Sequence, residues 1–170
     1  DTSKSIKILE DSTGSKITAF RAPGFSLNER TKWAFGILHE LGITEDSSLK
    51  SGFHFENNII PNEPFVVQAG GFSIREFPTR TVPFFGYKII YSGSGYFRLL
   101  PYHFVKKRFH LSAYEMSYFH PRDFDSLIHT FYHGHPILQL RYRLGTDSSK
   151  KKLDQFVHDF GDGDTKAVQV

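Results

Sequence analysis

A chain of 170 residues, 39% apolar and 23% charged, is long enough for a sizeable core and has the make-up of a globular protein rather than a disordered one. No apolar run approaches the roughly 20 residues that a membrane-spanning helix needs. With no cysteine there is no disulfide framework, thiol nucleophile or Cys-ligated zinc. The net charge of +3 is scattered, in Lys106-Lys107-Arg108 and Lys150-Lys151-Lys152, and forms no basic stripe of the kind nucleic acid selects. The aromatic load is high: 18 Phe, 8 Tyr and 1 Trp supply core area and flat faces suited to sugar rings.

The chain opens in a helical pattern, with Ile6, Ile8 and Leu9 apolar and Gly14 as the stop. No signal-peptide pattern follows Asp1, which favours a cytoplasmic location. A start of this kind predicts that an upstream part of the same domain precedes the chain. Lys16–Phe20 alternates like a strand and runs into a turn at Pro23-Gly24. Ser26 and Asn28 are N-cap candidates for a helix over Arg30–Leu41, whose apolar face would be Trp33, Ile37, Leu38 and Leu41. A short strand over Ile43–Ser47 completes a βαβ pattern, the mark of an α/β fold.

Residues 50–72 read as a loop excursion, followed by strands at Ser73–Phe77, Thr81–Phe84 and Tyr87–Tyr91. After the glycine-rich Ser92-Gly93-Ser94-Gly95, Pro101 predicts a helix start. Ala113–Phe119 reads as a buried strand ending at His120-Pro121. Residues 122–147 read as irregular, Lys150–Phe160 as an amphipathic helix, and Ala167–Val170 as a last strand. A single domain is expected.

Strand ends bearing polar groups are where βα architectures place their sites. Arg21 and His120 stand at two such ends: arginine can hold a carboxylate, and histidine exchanges protons near neutral pH. The run Phe20-Arg21-Ala22-Pro23-Gly24-Phe25-Ser26, the Trp33-Ala34 helix and Ile43–Ser48 resemble the middle of the NodB-type polysaccharide deacetylases, carbohydrate esterase family 4. Glu76-Phe77-Pro78, Ser92–Tyr102 and Tyr118–Asp125 are similar to the branch associated with bacterial surface-polysaccharide biosynthesis. The resemblance implies the later part of a distorted (β/α) barrel and metal-dependent removal of an acetyl group from a sugar. In such a site a metal polarises the carbonyl and activates a water. It further implies that Arg21 orients the catalytic base and that His120 protonates the leaving amine or alkoxide. Asp46 lies where the family places an acidic or polar residue near that His.

The family's first two motifs, an Asp-Asp strand and His-Ser/Thr-x-x-His, are absent here, and residues 1–20 contain no His. Those motifs would precede Arg21, so the chain reads as the later part of a deacetylase domain that depends on its N-terminal segment. Alone it is expected to bind no divalent metal (zinc or similar), to hydrolyse nothing and to be poorly soluble. His129, His133 and His135 have a spacing compatible with zinc, but Gly134 and Pro136 argue against one regular helix face. Asp159–Asp164 lacks the order of a calcium loop.

Pro23, Asp46, Gly95, Tyr96 and Phe97 are expected to meet the carbohydrate substrate, with Gly93, Gly95, Tyr96 and Phe97 shaping a substrate-facing loop, the glycines by close backbone approach and the rings by stacking. His120 is expected on the rim of a concave site within reach of Arg21. The alternative is a carbohydrate-binding relative without catalysis, in which Tyr96, Phe97 and the aromatics of 118–132 are the platforms.

Overall fold

A computed structural model describes residues 2–69, 71–127 and 134–161. They form a mixed α/β structure with no closed barrel. Two compact units divide the chain, Asp1–Thr79 and Arg80–Gln169. No helix among the described residues is long and apolar enough to cross a membrane.

The first unit opens with α1 (Thr2–Thr13), as the apolar spacing predicts; its Ile6 packs against the core. Strand β1 (Ala19–Phe20) leads into a short 3-10 turn at Pro23–Phe25. Asn28 caps a second such turn, Glu29–Thr31, by accepting from the Arg30 N–H at 2.9 Å, and α2 (Ala34–Glu40) follows. The buried face of α2 is Phe35 and Leu38, whereas Trp33 and Ile37, expected inside, are exposed. The helix is one turn shorter than its apolar spacing suggests. Phe35 packs edge-on against Phe55 at 5.7 Å, and that contact sets the face.

After β2 (Glu45–Asp46) the expected loop contains strands: the hairpin β3 (His54–Phe55) and β4 (Asn58–Ile59), then β5 (Phe65–Ala69). Glu56 and Asn57, both at positive φ, make the two-residue turn that this hairpin geometry requires. The flanking Asn and Pro hid a β-branched run, Val66-Val67, that pairs antiparallel with β6 (Phe72–Glu76). The sheet order is β1-β2-β6-β5, with β1, β2 and β6 parallel. Phe35, Ile43 and Ile74 are fully buried in its core.

The second unit begins with the hairpin β7 (Val82–Phe84) and β8 (Tyr87–Ile89), followed by α3 (Ser94–Leu99) and α4 (Tyr102–His110). Helix α4 starts just after Pro101, as expected. Helices α5 (Pro136–Arg143) and α6 (Thr146–Phe160) close the described part. Helix α6 begins four residues before its predicted start, where Gly145 at φ +75 turns the chain against the Arg98 carbonyl; a Cβ there would lie 2.8 Å from that oxygen. The aromatic surplus is spent in this core: Phe97 on Phe119 at 4.8 Å, Phe109 on Phe156 at 4.9 Å, and Phe156 on Phe160 at 5.2 Å.

Residues 113–119, expected as a buried strand, form no ladder and make a single bridge, Gly93 to Tyr118. Side chains hold the segment instead. Glu115 meets Tyr91 and Arg80, and the Ser92 hydroxyl donates to the Met116 carbonyl at 2.8 Å. The expected strand Ala167–Val170 lies outside the described residues.

Candidate functional site

In the first unit the carboxyl-terminal ends of three parallel strands coincide: the register sets Phe20 beside Asp46 and Asp46 beside Glu76. Arg21 leaves the end of β1. Its Nε donates to the Ser47 carbonyl at 2.9 Å and a terminal nitrogen to the Ser47 hydroxyl at 2.7 Å. That hydroxyl donates in turn to the Phe77 carbonyl at 2.7 Å, so one serine ties together the ends of β1, β2 and β6. The guanidinium also stands 5.7 Å from the Phe25 ring centre. Ser48 does for the backbone what Ser47 does for the side chain: its hydroxyl accepts the Ala22 N–H at 2.7 Å. The Arg21-Ala22-Pro23 turn is thus clamped from two sides, with Pro23 exposed.

Asp46, expected to touch substrate, is 1% exposed. The Ser48 N–H and hydroxyl, at 3.0 and 2.8 Å, occupy its two oxygens. It positions the turn and offers no free carboxylate. Its cross-strand partner Glu76 is 0% exposed and accepts the Leu49 N–H at 2.9 Å. Burial, and then the hydrogen bond and charge of Asp46, push the Glu76 carboxyl up to about 10, while burial also raises Asp46. In the sequence Glu76 stands out only as part of the Glu76-Phe77-Pro78 motif. The signal was in the strand's alternation: Phe72, Ile74 and Glu76 share one face, and a carboxyl there is an inward-facing charge.

In the second unit two sequence segments build the support of His120. Gly93 bridges Tyr118, and the Ser94 N–H donates to the Tyr118 carbonyl at 3.1 Å. Phe97 packs on Phe119, and Arg98 faces Asp123 with Nε 3.7 Å from Oδ1, both side chains almost wholly buried. Asp123 Oδ2 accepts the His120 N–H at 2.9 Å, and the Tyr118 ring stands edge-on to the imidazole at 5.9 Å. The imidazole itself is exposed, at the head of a 3-10 turn over Pro121–Asp123. Its backbone is pinned and its ring reaches solvent, a suitable arrangement for a proton donor.

Of the expected sugar platforms, Tyr96 is 44% exposed and keeps a free face. Phe97 is 0% exposed, packed among Phe119, Phe156 and Val105, and belongs to the core. Gly95 lies in the first turn of α3 without a positive φ. Arg21 and His120 fall in different units, and each is placed only within its own.

Gly93 is the glycine that packing requires: a Cβ would meet the Tyr118 ring and carbonyl at 2.5 Å. Gly93→Ala is expected to destabilise the second unit by about 1–3 kcal/mol. Gly95→Ala, whose Cβ would meet only the Arg98 guanidinium at 3.7 Å, should be neutral or slightly stabilising. Urea denaturation of the two variants side by side checks the contrast.

A sequence profile for a domain of unknown function (DUF3473) matches residues 54–168. The chain belongs to this family. Such domains occur at the C-terminal end of polysaccharide deacetylase family proteins, which is compatible with the NodB-type resemblance. No curated relative and no solved structure matches the chain. The matched span takes in Glu76, the whole Gly93–Arg98 run and His120, while Arg21 and Asp46 precede it.

Among the described residues no group of three His, Asp or Glu is placed to hold a metal ion. The Asp46–Glu76 pair does not fit one either, since both side chains are closed to solvent, Ser48 already binds Asp46, and burial and Asp46 hold Glu76 toward its neutral form. His129 and His133 lie outside the described residues, as do residues 162–164 of the acidic turn; His135 precedes α5.

Proposed function

We propose that the protein takes part in hydrolytic removal of an acetyl group from a sugar of a polysaccharide or its precursor, with this chain supplying the Arg21 turn and the His120 proton donor. The support is the family match: a domain that accompanies polysaccharide deacetylases, in a chain whose own motif residues are held by dedicated hydrogen bonds. In this reading water adds to the acetyl carbonyl, the bond from that carbon to the sugar nitrogen or oxygen breaks, and acetate leaves. The departing amine or alkoxide takes a proton, and the exposed His120 imidazole supplies it. Arg21, fixed along two directions by Ser47, orients the base that takes the proton from water. The divalent metal that this reading calls for would polarise the acetyl carbonyl, held by the upstream Asp and His motifs that the resemblance implies.

Acetate release from an acetylated hexosamine polymer by the full-length protein, with and without a chelator and with zinc restored, tests the proposal. Release that the chelator abolishes and zinc restores is the expected result. Glycan binding without acetate release would transfer the reading to the carbohydrate-binding alternative, for which the half-exposed Tyr96 is the available face.

A further inference from the structure

The hydrogen bonds around Asp46 and Glu76 can be counted donor by donor. The Ala22 N–H donates to the Ser48 hydroxyl, and that hydroxyl donates to Asp46 Oδ1. The Ser48 N–H donates to Asp46 Oδ2, so Asp46 is surrounded by donors and behaves as the ionised member. Glu76 Oε1 accepts from the Leu49 N–H, but Glu76 Oε2, buried, has no donor. A buried carboxylate oxygen left in this way is costly; a hydroxyl that donates to the neighbouring carboxylate is not. All of these groups are satisfied when Glu76 carries the proton and Asp46 the charge.

We propose that Glu76 is a positioning residue for Arg21: as the neutral, proton-donating partner of Asp46, it fixes the Ser48 hydroxyl and through it the Arg21-Ala22-Pro23 turn. The charged and titratable groups facing it are Asp46 from β2 and Arg21 from the end of β1; β5, on its other side, presents Phe65. The direction of its titration agrees, because burial and Asp46 raise it. The effect on turnover rests on the deacetylase reading, whereas the effect on the turn does not.

The test uses the full-length protein and the variants Glu76→Gln and Glu76→Ala. Glutamine can donate to Asp46 and accept from Leu49, so hydrogen exchange in the segment 21–27 should match wild type. Alanine should raise exchange there by about tenfold or more. In protein labelled with 13C-glutamate, one carboxyl resonance missing from Glu76→Gln should stay in the protonated position at pH 8. That measurement decides the matter even if Glu76→Ala does not fold. Linkage adds a stability signature. An unfolded glutamate ionises near its ordinary value of 4.5 and the folded one at about 10. The contribution is therefore whole below pH 4.5 and is lost as pH rises toward 10, a decline that Glu76→Gln should flatten. A Glu76 resonance titrating near 4.5, wild-type exchange in the alanine variant, or alanine-like exchange in the glutamine variant would each overturn the proposal. A wild-type protein that releases no acetate would sink the deacetylase reading and leave these results untouched.

Discussion

Replacing Asp123 with alanine is expected to cost the second unit about 3–5 kcal/mol, the usual penalty for stranding one member of a buried ion pair. Arg98 and Asp123 are 4% and 2% exposed at their side chains, so neither charge can turn to water once its partner is gone. Arg98 retains its neutral acceptors, the Tyr142 carbonyl at 3.0 Å and the Thr146 hydroxyl at 2.8 Å, but no anion. The same substitution removes the acceptor of the His120 N–H and the Ser94 hydroxyl contact at 3.3 Å. Asp123→Asn keeps an acceptor for His120 and should lose less. Urea unfolding gives the magnitude, and a cycle with Arg98→Met should show strong non-additivity, since the second change removes the charge that the first strands. Equal stability of wild type and Asp123→Ala would mean that the pair holds nothing.

Replacing His120 with alanine in the full-length protein is expected to lower kcat by on the order of 10²–10⁴-fold with little change in KM. The residue is exposed and is held through its backbone N–H, so the substitution leaves the Asp123 bond and the Phe97–Phe119 packing in place. Stability should therefore change little. A proton donor acts as the bond to the leaving group breaks, so its loss belongs in kcat. Steady-state kinetics of acetate release, beside a thermal unfolding curve, separates this outcome from simple unfolding. An unchanged kcat would remove His120 from the reaction.

Much of the path of the chain was legible in local pattern. The strand–helix–strand order of the first unit, the capping Asn28, the strands that become β7 and β8, and the amphipathic helix α6 all follow from spacing and turn residues. What escaped is tertiary. Val66-Val67 became a strand because β6 offered an edge, and Phe97 became core because Phe119 and Phe156 close over it. Residues 113–119 look like a strand by composition, but Tyr91, Ser92 and Arg80 side chains hold Glu115 and Met116 where a strand would have a ladder partner. Arg21, Asp46 and His120 stand out in the sequence as motif residues, but the burial of Asp46 against Ser48 does not. Ser47, Ser48 and Glu76 acquire meaning only when the parallel register brings three strand ends together.

The motifs of the second unit also gain a physical content that the sequence does not state. Gly93 admits Tyr118, Phe97 receives Phe119 and Arg98 neutralises Asp123, so two segments more than twenty residues apart fold as one support for His120. Lys152 of α6 completes it by donating to the carbonyls of Phe97, Arg98 and Leu100 at 2.7–2.9 Å, which caps the end of α3.

The claim that the clamped Arg21 turn serves catalysis is tested most directly by the rate of acetate release from an acetylated hexosamine polymer by the full-length protein carrying Arg21→Lys. Lysine keeps the charge but cannot reproduce the two directed bonds from Nε and the terminal nitrogen to Ser47. The Arg21→Lys protein is expected to fold and to release acetate at least about tenfold more slowly. A folded Arg21→Lys protein that releases acetate at the wild-type rate would contradict it.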